Sequence, residues 1–409
     1  MMSDYNTLKK ELQKEIKKEL DFSRDMSDEE IEDLIDEIII RKSKIRFFSL
    51  PDKVKLRQEL FYSIRKLDLL QELIDDNSIT EIMVNGCESI FIERNGALNL
   101  WDRRFESPQK LQDVIQQIVA KSNRIVNESS PIVDARLENG SRVNVVLSPV
   151  ALNGPILTIR RFPEHPIDIE KLISLEALSR EAADFLRDLV LSGYNIFISG
   201  GTGSGKTTFL NALSNFIPRD QRVITIEDSA ELQIQDVPNL VRLETRNANS
   251  EGCNPITIRD LIRSSLRMRP DRIIVGEVRG EEAMELLSAM NTGHDGSLST
   301  GHANSSRDML SRLETMILMG INLPLSAIRR QLSSGIDIII HLGRLRDRSR
   351  RVLEICEVLG VENDEIRLNP IYSFMERGEE NNRVLGSLER QGKLINTEKL
   401  LRYGLKPLF

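Results

Sequence analysis

The chain has 409 residues, a length that exceeds one ordinary core and predicts two or three domains. Lys and Arg number 56 against 63 Asp and Glu, so the formal net charge is -7, and no nucleic-acid partner is expected. The cysteines Cys87, Cys253 and Cys356 are isolated and odd in number, which argues against a disulfide framework or a structural zinc site.

The sequence also bears on the cellular compartment. No stretch reaches the roughly 18 uncharged apolar residues of a membrane-spanning helix. The charged start MMSDYNTLKKELQKE does not resemble a signal peptide. We therefore expect a cytoplasmic chain without a direct membrane span, in which any association with a membrane comes through a partner.

Apolar stripes at helical spacing occupy the N-terminal region. They are formed by Leu8, Leu12, Ile16 and Leu20, and by Ile31, Leu34, Ile35 and Ile38. Between them Ser27 and Glu30 have the spacing of a capping box, which marks the start of a helix. A third striped segment covers 52–75. The pattern predicts a helical arm over 1–75, which is either a packed bundle or an arm that docks on a partner.

From Ile79 the residue pattern changes to short runs rich in β-branched residues, which are broken by Asn-Gly pairs, as in TEIMVNG and SIFIERNG. Two further runs, RVNVVLSP and PILTIRRF, follow a helical pattern at 108–122. Prolines at 163 and 166 suggest a linker. The pattern predicts an α+β domain over 76–165.

Continuous apolar strands alternate with helices in the next segment: YNIFIS, RVITIE, RIIVGE and DIIIHL. Strands of this kind imply a parallel sheet covered on both faces, so we expect an α/β domain over 166–360. Ile336 to His341 and Arg351 to Val358 resemble a hairpin, and 361–409 is a polar, mixed C-terminal extension.

A glycine-rich loop with the pattern GxxxxGK[ST] stands between the strand YNIFIS and a helix. Its phosphate-binding candidates are Gly200, Gly201, Thr202, Gly203, Ser204, Gly205, Lys206, Thr207 and Thr208. Backbone amides of such a loop surround phosphates, the lysine reaches the terminal phosphates and the Thr207 hydroxyl can ligate Mg²⁺. The loop predicts a RecA-like P-loop core that binds ATP and Mg²⁺, with Lys206 also in a catalytic role.

Acidic residues follow the next two strands. Glu227 ends RVITIE, and Asp228 and Glu231 follow it, at the end of a parallel strand where open α/β sheets place their ligands. The alternative is a helix start that carries acids because the helix dipole favours them. Glu277 ends the strand RIIVGE, and we interpret it as the carboxylate that positions water or holds Mg²⁺, directly or through water.

The Gly/Ser/Thr-rich stretch 289–304 contains His294 and His302 and resembles a sensor loop. An imidazole N–H there can donate to a γ-phosphate or hold a neighbouring carboxylate, although a single loop histidine is commonly polar surface. The stretch does not by itself choose between the two histidines, and it gives weak support for a metal site of its own.

Arginines recur in two further places. Arg136, Arg142 and Arg160 lie on the predicted sheet of the first domain, where they either contact the γ-phosphate of a neighbouring subunit or are solvated at strand edges. A second run occupies the hairpin turn: Arg344, Arg346, Arg348, Arg350 and Arg351. Without interleaved aromatic residues, this run is typical of a solvated loop rather than a nucleic-acid platform.

Four ordered segments together resemble the Walker A, Asp box, Walker B and His box of the type II/IV secretion ATPase superfamily. They are GGTGSGKTT, ITIEDSAEL, MRPDRIIVGEVRGEEA and AMNTGHDGSLSTGHANS. Within that superfamily the text from Gly276 to Ser305 is most similar to the Tad/Flp pilus assembly ATPases of the CpaF type. The resemblance extends from Ile79 to the tail and includes DARL, GSRVN and IRRF.

The resemblance implies a homo-hexameric ATPase ring at the inner face of the cytoplasmic membrane, which drives pilus assembly or protein secretion through an inner-membrane platform protein. It assigns essential acidic roles to Glu231 and Glu277, and the His-box role to His294 and His302. Two departures are the turn DRSRR, which lacks the glycine common there, and the arm 1–75, which carries few motifs.

Three alternatives remain open from the sequence. The first is another member of the superfamily, although members with a four-cysteine zinc element are disfavoured by three scattered cysteines. The second is a nucleic-acid translocase, which the acidic balance and the single Trp101 disfavour. The third is a nucleotide-dependent switch that scarcely hydrolyses ATP, which the acids Glu231 and Glu277 disfavour.

Overall fold

The structure is a computed structural model that describes residues 2–21, 23–24, 26–44, 48–94, 96–122, 124–162, 166–246 and 255–406. The chain divides into two compact units, Met1–Glu164 and His165–Phe409. Among the described helices, none combines the length and the apolar character that crossing a membrane requires.

The first unit begins with three helices that share a core. They are α1 (Met2–Glu19), α2 (Asp28–Ser43) and α3 (Leu50–Arg65). Leu12, Ile35 and Leu56, one from each helix, are fully buried together, so the three helices pack as a bundle. The capping box at the start of α2 is confirmed, since Glu30 N donates to the Ser27 hydroxyl and Ser27 N donates to the Glu30 carboxylate.

The third predicted helical segment is two helices rather than one. α3 ends at Arg65 because Lys66 is extended, and α4 (Leu70–Asp75) starts after Asp68, whose φ is 52°. Leu70 and Leu73 of α4 are buried in the core of the sheet that follows, not in the bundle. The last helix of the predicted arm therefore belongs to the packing of the α+β segment.

That segment consists of a six-stranded antiparallel sheet and a helix. Its elements are β1 (Ile79–Asn85), β2 (Ser89–Arg94), β3 (Ala97–Leu100), α5 (Pro108–Lys121), β4 (Ile132–Arg136), β5 (Arg142–Val146) and β6 (Ile156–Arg160). The strand order is β3-β2-β1-β6-β5-β4. Alternate residues of β1, β5 and β6 are buried with the apolar side of α5, as expected for a sheet that is covered on one face.

The second unit contains helices around a nine-stranded sheet. Its helices are α6 (Ile169–Ser174), α7 (Arg180–Leu191), α8 (Lys206–Ser214), α9 (Ile258–Ser265), α10 (Ala283–Asn291), α11 (Ser306–Gly320), α12 (Leu325–Gly335) and α13 (Glu398–Arg402). Its strands are β7 (Ile196–Gly200), β8 (Val223–Glu227), β9 (Leu240–Glu244), β10 (Arg272–Val275), β11 (Leu298–Gly301), β12 (Ile338–Arg344), β13 (Arg350–Glu362), β14 (Glu365–Glu380) and β15 (Arg383–Arg390).

The strand order β15-β14-β13-β12-β7-β11-β10-β8-β9 places β7 between β12 and β11. The strands from β12 to β9 are parallel, and both faces of the sheet carry a hydrophobic core. Loops that follow β7, β8, β10, β11 and β12 therefore meet at one edge of the sheet, where parallel α/β sheets hold their ligands. The predicted α/β class is confirmed.

The C-terminal segment continues the same sheet. β13 runs to Glu362, and β14 and β15 add two antiparallel strands beyond it. Tyr372, Leu388 and Leu400 are buried in the core of this unit, so the predicted boundary at 360 does not coincide with a break in the structure. The segment looks polar in sequence because long stretches of β14 and β15 are exposed.

Candidate functional site: a P-loop linked to a histidine and a glutamate

The glycine-rich loop joins the end of β7 to the start of α8, as the sequence predicts. Gly203 and Gly205 have φ values of 72° and 92°, a region that other residues seldom adopt. A Cβ at Gly200 would lie 2.6 Å from both the Leu342 carbonyl oxygen and the Ser204 hydroxyl, so only glycine fits there. The loop is thus a tight cradle whose conformation depends on its glycines.

Lys206 begins α8 and folds back over this loop. Its Nζ donates to the carbonyl oxygens of Gly200 and Gly201, each at 3.0 Å. The side chain is only 7% exposed, and this burial lowers the pKa of the ammonium group. Thr207 and Thr208 follow in the first turn of α8, where both are half-buried. Lysine and threonine thus stand where a P-loop needs them.

His302 joins the P-loop to the acid that follows β10. Its Nδ1 lies 3.2 Å from Nζ of Lys206, and its Nε2 lies 2.8 Å from Oε1 of Glu277. An ammonium group only donates, so Nδ1 accepts and the proton is assigned to Nε2, which faces the carboxylate. The contact with Glu277 is at ion-pair distance but falls short of hydrogen-bond geometry. Burial and the neighbouring Lys206 lower the pKa of His302, which favours the neutral ring.

Glu277 is held from its other side by Arg279. The Arg279 guanidinium donates to Oε2 of Glu277 from Nη2 at 2.6 Å and from Nε at 3.0 Å. Its Nη1 lies 3.5 Å from the carboxylate of Asp228. Sequence reasoning did not single out Arg279, although its position two residues after the strand-ending acid was a usable signal. The Arg279 guanidinium therefore fixes the direction of the Glu277 carboxylate, while His302 lies close to its other oxygen.

The acids after β8 are organised by Glu227, which is only 3% exposed. Its Oε2 accepts from the backbone N–H groups of Glu231 at 2.7 Å and Leu232 at 2.9 Å, and burial raises the pKa of this carboxyl group. A Cβ at Gly276 would lie 3.0 Å from Cγ of Glu227, so the glycine before Glu277 makes room for this side chain. Sequence reasoning gave the role to Glu231 and missed that Glu227 positions its backbone.

The two histidines of the sensor loop lie at opposite edges of the sheet. His302 follows β11, at the edge of the P-loop, whereas His294 precedes β11. Nδ1 of His294 lies 3.2 Å from the carbonyl oxygen of Ala289 at the end of α10, and its own carbonyl accepts from the Ser297 hydroxyl. The structure brings His302, and not His294, to Lys206.

The arginines predicted in the first domain form one row across its sheet. Arg136 pairs in register with Arg142, Arg142 with Arg160, and Arg160 with Glu81 of β1. Residues directly opposite each other on neighbouring strands point to the same face, and here it is the face away from the buried core. The three arginines thus share one end of one face of the first unit.

The hairpin arginines differ from one another. Arg351 is 3% exposed and pairs with Glu176 at 2.9 Å, and Arg346 pairs with Glu379 at 2.7 Å. Nε of Arg350 donates to the Gly203 carbonyl of the P-loop at 2.8 Å. Describing the whole run as a solvated turn is therefore wrong for Arg351, because the pairing of β12 with β7 brings the hairpin against other parts of the unit.

Comparisons with known proteins agree with this geometry. The family model described as "Type II/IV secretion system protein" matches residues 64–382. A putative conjugal transfer protein of Mycobacterium tuberculosis is 34% identical over 293 residues, which cover 70% of this chain and 83% of that protein. The type IV secretion system protein VirB11 of Brucella suis is 34% identical over 326 residues, which cover 72% and 89%.

Two solved structures share the fold at 22% identity and a TM-score of 0.51. The Legionella pneumophila ATPase DotB covers 70% of this chain and 79% of its own, and the pilus retraction motor PilT with bound ADP covers 68% and 77%. They support a RecA-like core with a preceding domain. With a family match over most of its length and a P-loop joined to a histidine and a glutamate, this chain belongs to the type II/IV secretion system protein family and is a P-loop ATPase.

Proposed function

We propose that this chain is the Mg²⁺-dependent ATPase motor of a pilus or secretion machine, and specifically of a Tad/Flp pilus of the CpaF type. It assembles as a homo-hexamer, acts through an inner-membrane platform protein and lies at the inner face of the cytoplasmic membrane through that partner. The observation that carries the catalytic part is the chain of contacts from Lys206 through His302 to Glu277. The assignment to the Tad/Flp subfamily rests on the sequence of the segment from Gly276 to Ser305.

The described residues fit ATP with Mg²⁺. The P-loop backbone and Lys206 hold the phosphates, and the Thr207 hydroxyl and the Glu277 carboxylate are oxygen donors of the kind that Mg²⁺ prefers. Among the described residues there is no group of three or more His, Cys, Asp or Glu that could hold a metal alone. When bound, Mg²⁺ neutralises charge that develops on the phosphates.

Each side chain of the site has its own role in ATP hydrolysis. Lys206 leaves its loop carbonyls to contact the terminal phosphates, and Glu277, fixed by Arg279, orients the attacking water. His302 links these two groups, so that a change at the phosphate reaches the carboxylate. Glu231, whose backbone is held by Glu227, is a second acid of the site. Because phosphoryl transfer depends mainly on positioning and charge stabilisation, water attacks the γ-phosphorus as ADP leaves, and no covalent enzyme intermediate is needed.

In this proposal Arg136, Arg142 and Arg160 contact the nucleotide phosphates of a neighbouring subunit. Their common row gives a strip of positive charge, and planar guanidinium groups bind phosphate oxygens in pairs. An arginine supplied in this way accelerates phosphoryl transfer by about 10³ to 10⁵. The test is the Arg142→Lys variant, which keeps the charge and loses the fork. Turnover per assembled ring is expected to fall, and turnover equal to the wild type contradicts the role.

A second candidate is a type IV secretion ATPase. It is favoured by two of the relatives, a putative conjugal transfer protein and a type IV secretion system protein. The two candidates share the same chemistry and differ in the membrane partner. Co-purification from membranes with the platform protein of a pilus locus supports the first candidate, and co-purification with type IV secretion components supports the second.

The experiment that tests the motor itself measures Mg²⁺-dependent ATP turnover per subunit as the protein concentration rises, with and without DNA. We expect specific activity to rise with assembly and to ignore DNA. The Glu277→Gln variant, which keeps size and loses charge, is expected to bind ATP and not to turn it over. Full activity of that variant refutes the role of Glu277, and strong stimulation by DNA favours a nucleic-acid translocase.

A further inference from the structure

The hairpin β12–β13 places one arginine on the P-loop itself. Arg350 is the first residue of β13, and its Nε donates to the Gly203 carbonyl at 2.8 Å. Its Cδ lies 3.4 Å from the position that a Cβ of Gly205 would occupy. The arginine therefore rests in van der Waals contact with the outer wall of the loop.

The pairing of strands fixes this position. Leu342 of β12 lies in register with Gly200 at the end of β7, and Arg344 of β12 pairs with Arg350 of β13. The start of β13 is thus carried past the end of the phosphate-binding strand by two rows of backbone hydrogen bonds. Arg350 is held there by the sheet, so its position does not depend on a loose loop.

Arg350 differs from Arg346 and Arg351 in having its guanidinium available. Arg351 and Arg346 are engaged by Glu176 and by Glu376 and Glu379. Among the described residues no carboxylate lies within ion-pair distance of Arg350, and its Gly203 contact uses Nε, leaving both Nη groups. The side chain is exposed at the same edge of the sheet as Lys206.

The two sides of the P-loop have different chemistry. β11 and β10 lie on one side of β7, and they bring His302 and Glu277, so the terminal phosphate must face that side. The triphosphate lies along the loop, so with the terminal phosphate on that side we expect the ribose and base on the side of β7 that faces β12. That side belongs to β12 and β13, which carry Arg350.

We propose that Arg350 is a nucleotide-binding residue that contacts the nucleoside part of ATP, with its guanidinium plane against the base and an Nη group toward the ribose. A planar, weakly hydrated guanidinium stacks on aromatic rings, and such cation–π contacts contribute binding without demanding one particular base. The inference rests on the proposed use of the P-loop, and it adds a specificity element to it.

The test separates nucleoside from phosphate by comparing two ligands. Binding of ATP and of inorganic tripolyphosphate, each with Mg²⁺, is measured on the wild type and on Arg350→Ala by displacement of a fluorescent nucleotide. We expect Arg350→Ala to weaken ATP binding about tenfold, the size of a stacked guanidinium contact, and to leave tripolyphosphate binding within about twofold. The control is Arg348→Asn, which removes a charge in the same turn at a residue whose φ of 68° suits asparagine.

Other outcomes are decisive as well. Equal weakening of both ligands means that Arg350 acts through the loop or the phosphates, and it overturns the nucleoside contact. No weakening of ATP in Arg350→Ala, while the wild type binds ATP, overturns this inference alone. Failure of the wild type to bind either ligand overturns the proposed function. Photolabelling with 2-azido-ATP gives an independent answer: we expect a label within 343–351, and a label confined to other segments refutes the assignment.

Discussion

Replacing His302 by phenylalanine tests the contact chain at its centre. Phenylalanine keeps a planar aromatic ring, slightly larger than imidazole, and removes both nitrogens. Lys206 thus loses an acceptor at 3.2 Å and Glu277 loses a neighbour at 2.8 Å. Lys206 keeps its two loop carbonyls and Glu277 keeps Arg279. The variant should therefore fold and bind nucleotide, while the lysine and the glutamate are no longer coupled.

The size of the effect follows from the contacts that are lost. A hydrogen bond to a charged group contributes about 1.5 to 3 kcal/mol. If that contribution is expressed in the transition state, kcat falls by about 10-fold to 100-fold, since about 1.4 kcal/mol is a factor of ten. Glu277 and Lys206 are each still held by another partner, so the free energy of unfolding should fall by only about 1 kcal/mol.

The assay is phosphate release at saturating ATP, with ATP affinity measured separately by calorimetry. The matched control is His294→Phe, which alters the other histidine of the same loop at the opposite edge of the sheet, and we expect its kcat to stay within about twofold of the wild type. A His302→Phe variant with wild-type kcat, or equal losses in both variants, refutes the reasoning that His302 alone couples the site.

Three further outcomes follow from buried groups. Gly276→Ala should lower the free energy of unfolding in urea by about 1 to 3 kcal/mol, because the new Cβ would lie 3.0 Å from Cγ of the buried Glu227; an unchanged midpoint contradicts this. Lys399→Met removes the ammonium group that lies 2.7 Å from the mostly buried carboxylate of Asp337. We expect the free energy of unfolding to fall by about 2 kcal/mol. In thermal unfolding, adding Asp337→Asn should restore part of this loss. Burial lowers the pKa of His341, so the unfolded chain binds protons more readily than the folded chain. The free energy of unfolding should therefore fall as pH drops below 6.5. The fall should be smaller in His341→Gln, and identical pH profiles of the two proteins refute the assignment.

Much of the fold was predictable because local patterns and tertiary structure agree. The capping box at Ser27 and Glu30, the apolar strands of the α/β unit and the helix over 108–122 are each specified by residues close together in sequence. The third striped segment, 52–75, is two helices because Lys66 is extended and Asp68 is left-handed. Apolar periodicity does not report such a break.

The candidate site divides in the same way. The P-loop is predictable from sequence because phosphate binding needs a contiguous run of residues. The pattern GxxxxGK[ST] alone identifies Lys206 and Thr207. His302 and His294 occupy the same loop and the same kind of sequence, and only the direction of β11 separates them by placing one at each edge of the sheet. Arg279 and the backbone-holding role of Glu227 were missed because both depend on the partners that these side chains contact.

The sequence by itself determined the class of fold, the ATPase chemistry and the identity of the phosphate-binding loop, since these depend on short contiguous patterns. Only the tertiary structure decided which histidine reaches Lys206, that Glu227 holds the turn of Glu231, and that Arg350 lies on the P-loop. The physical reason is strand order: β7 lies between β11 and β12, strands that are distant from it in sequence, and pairing in a sheet brings their ends together.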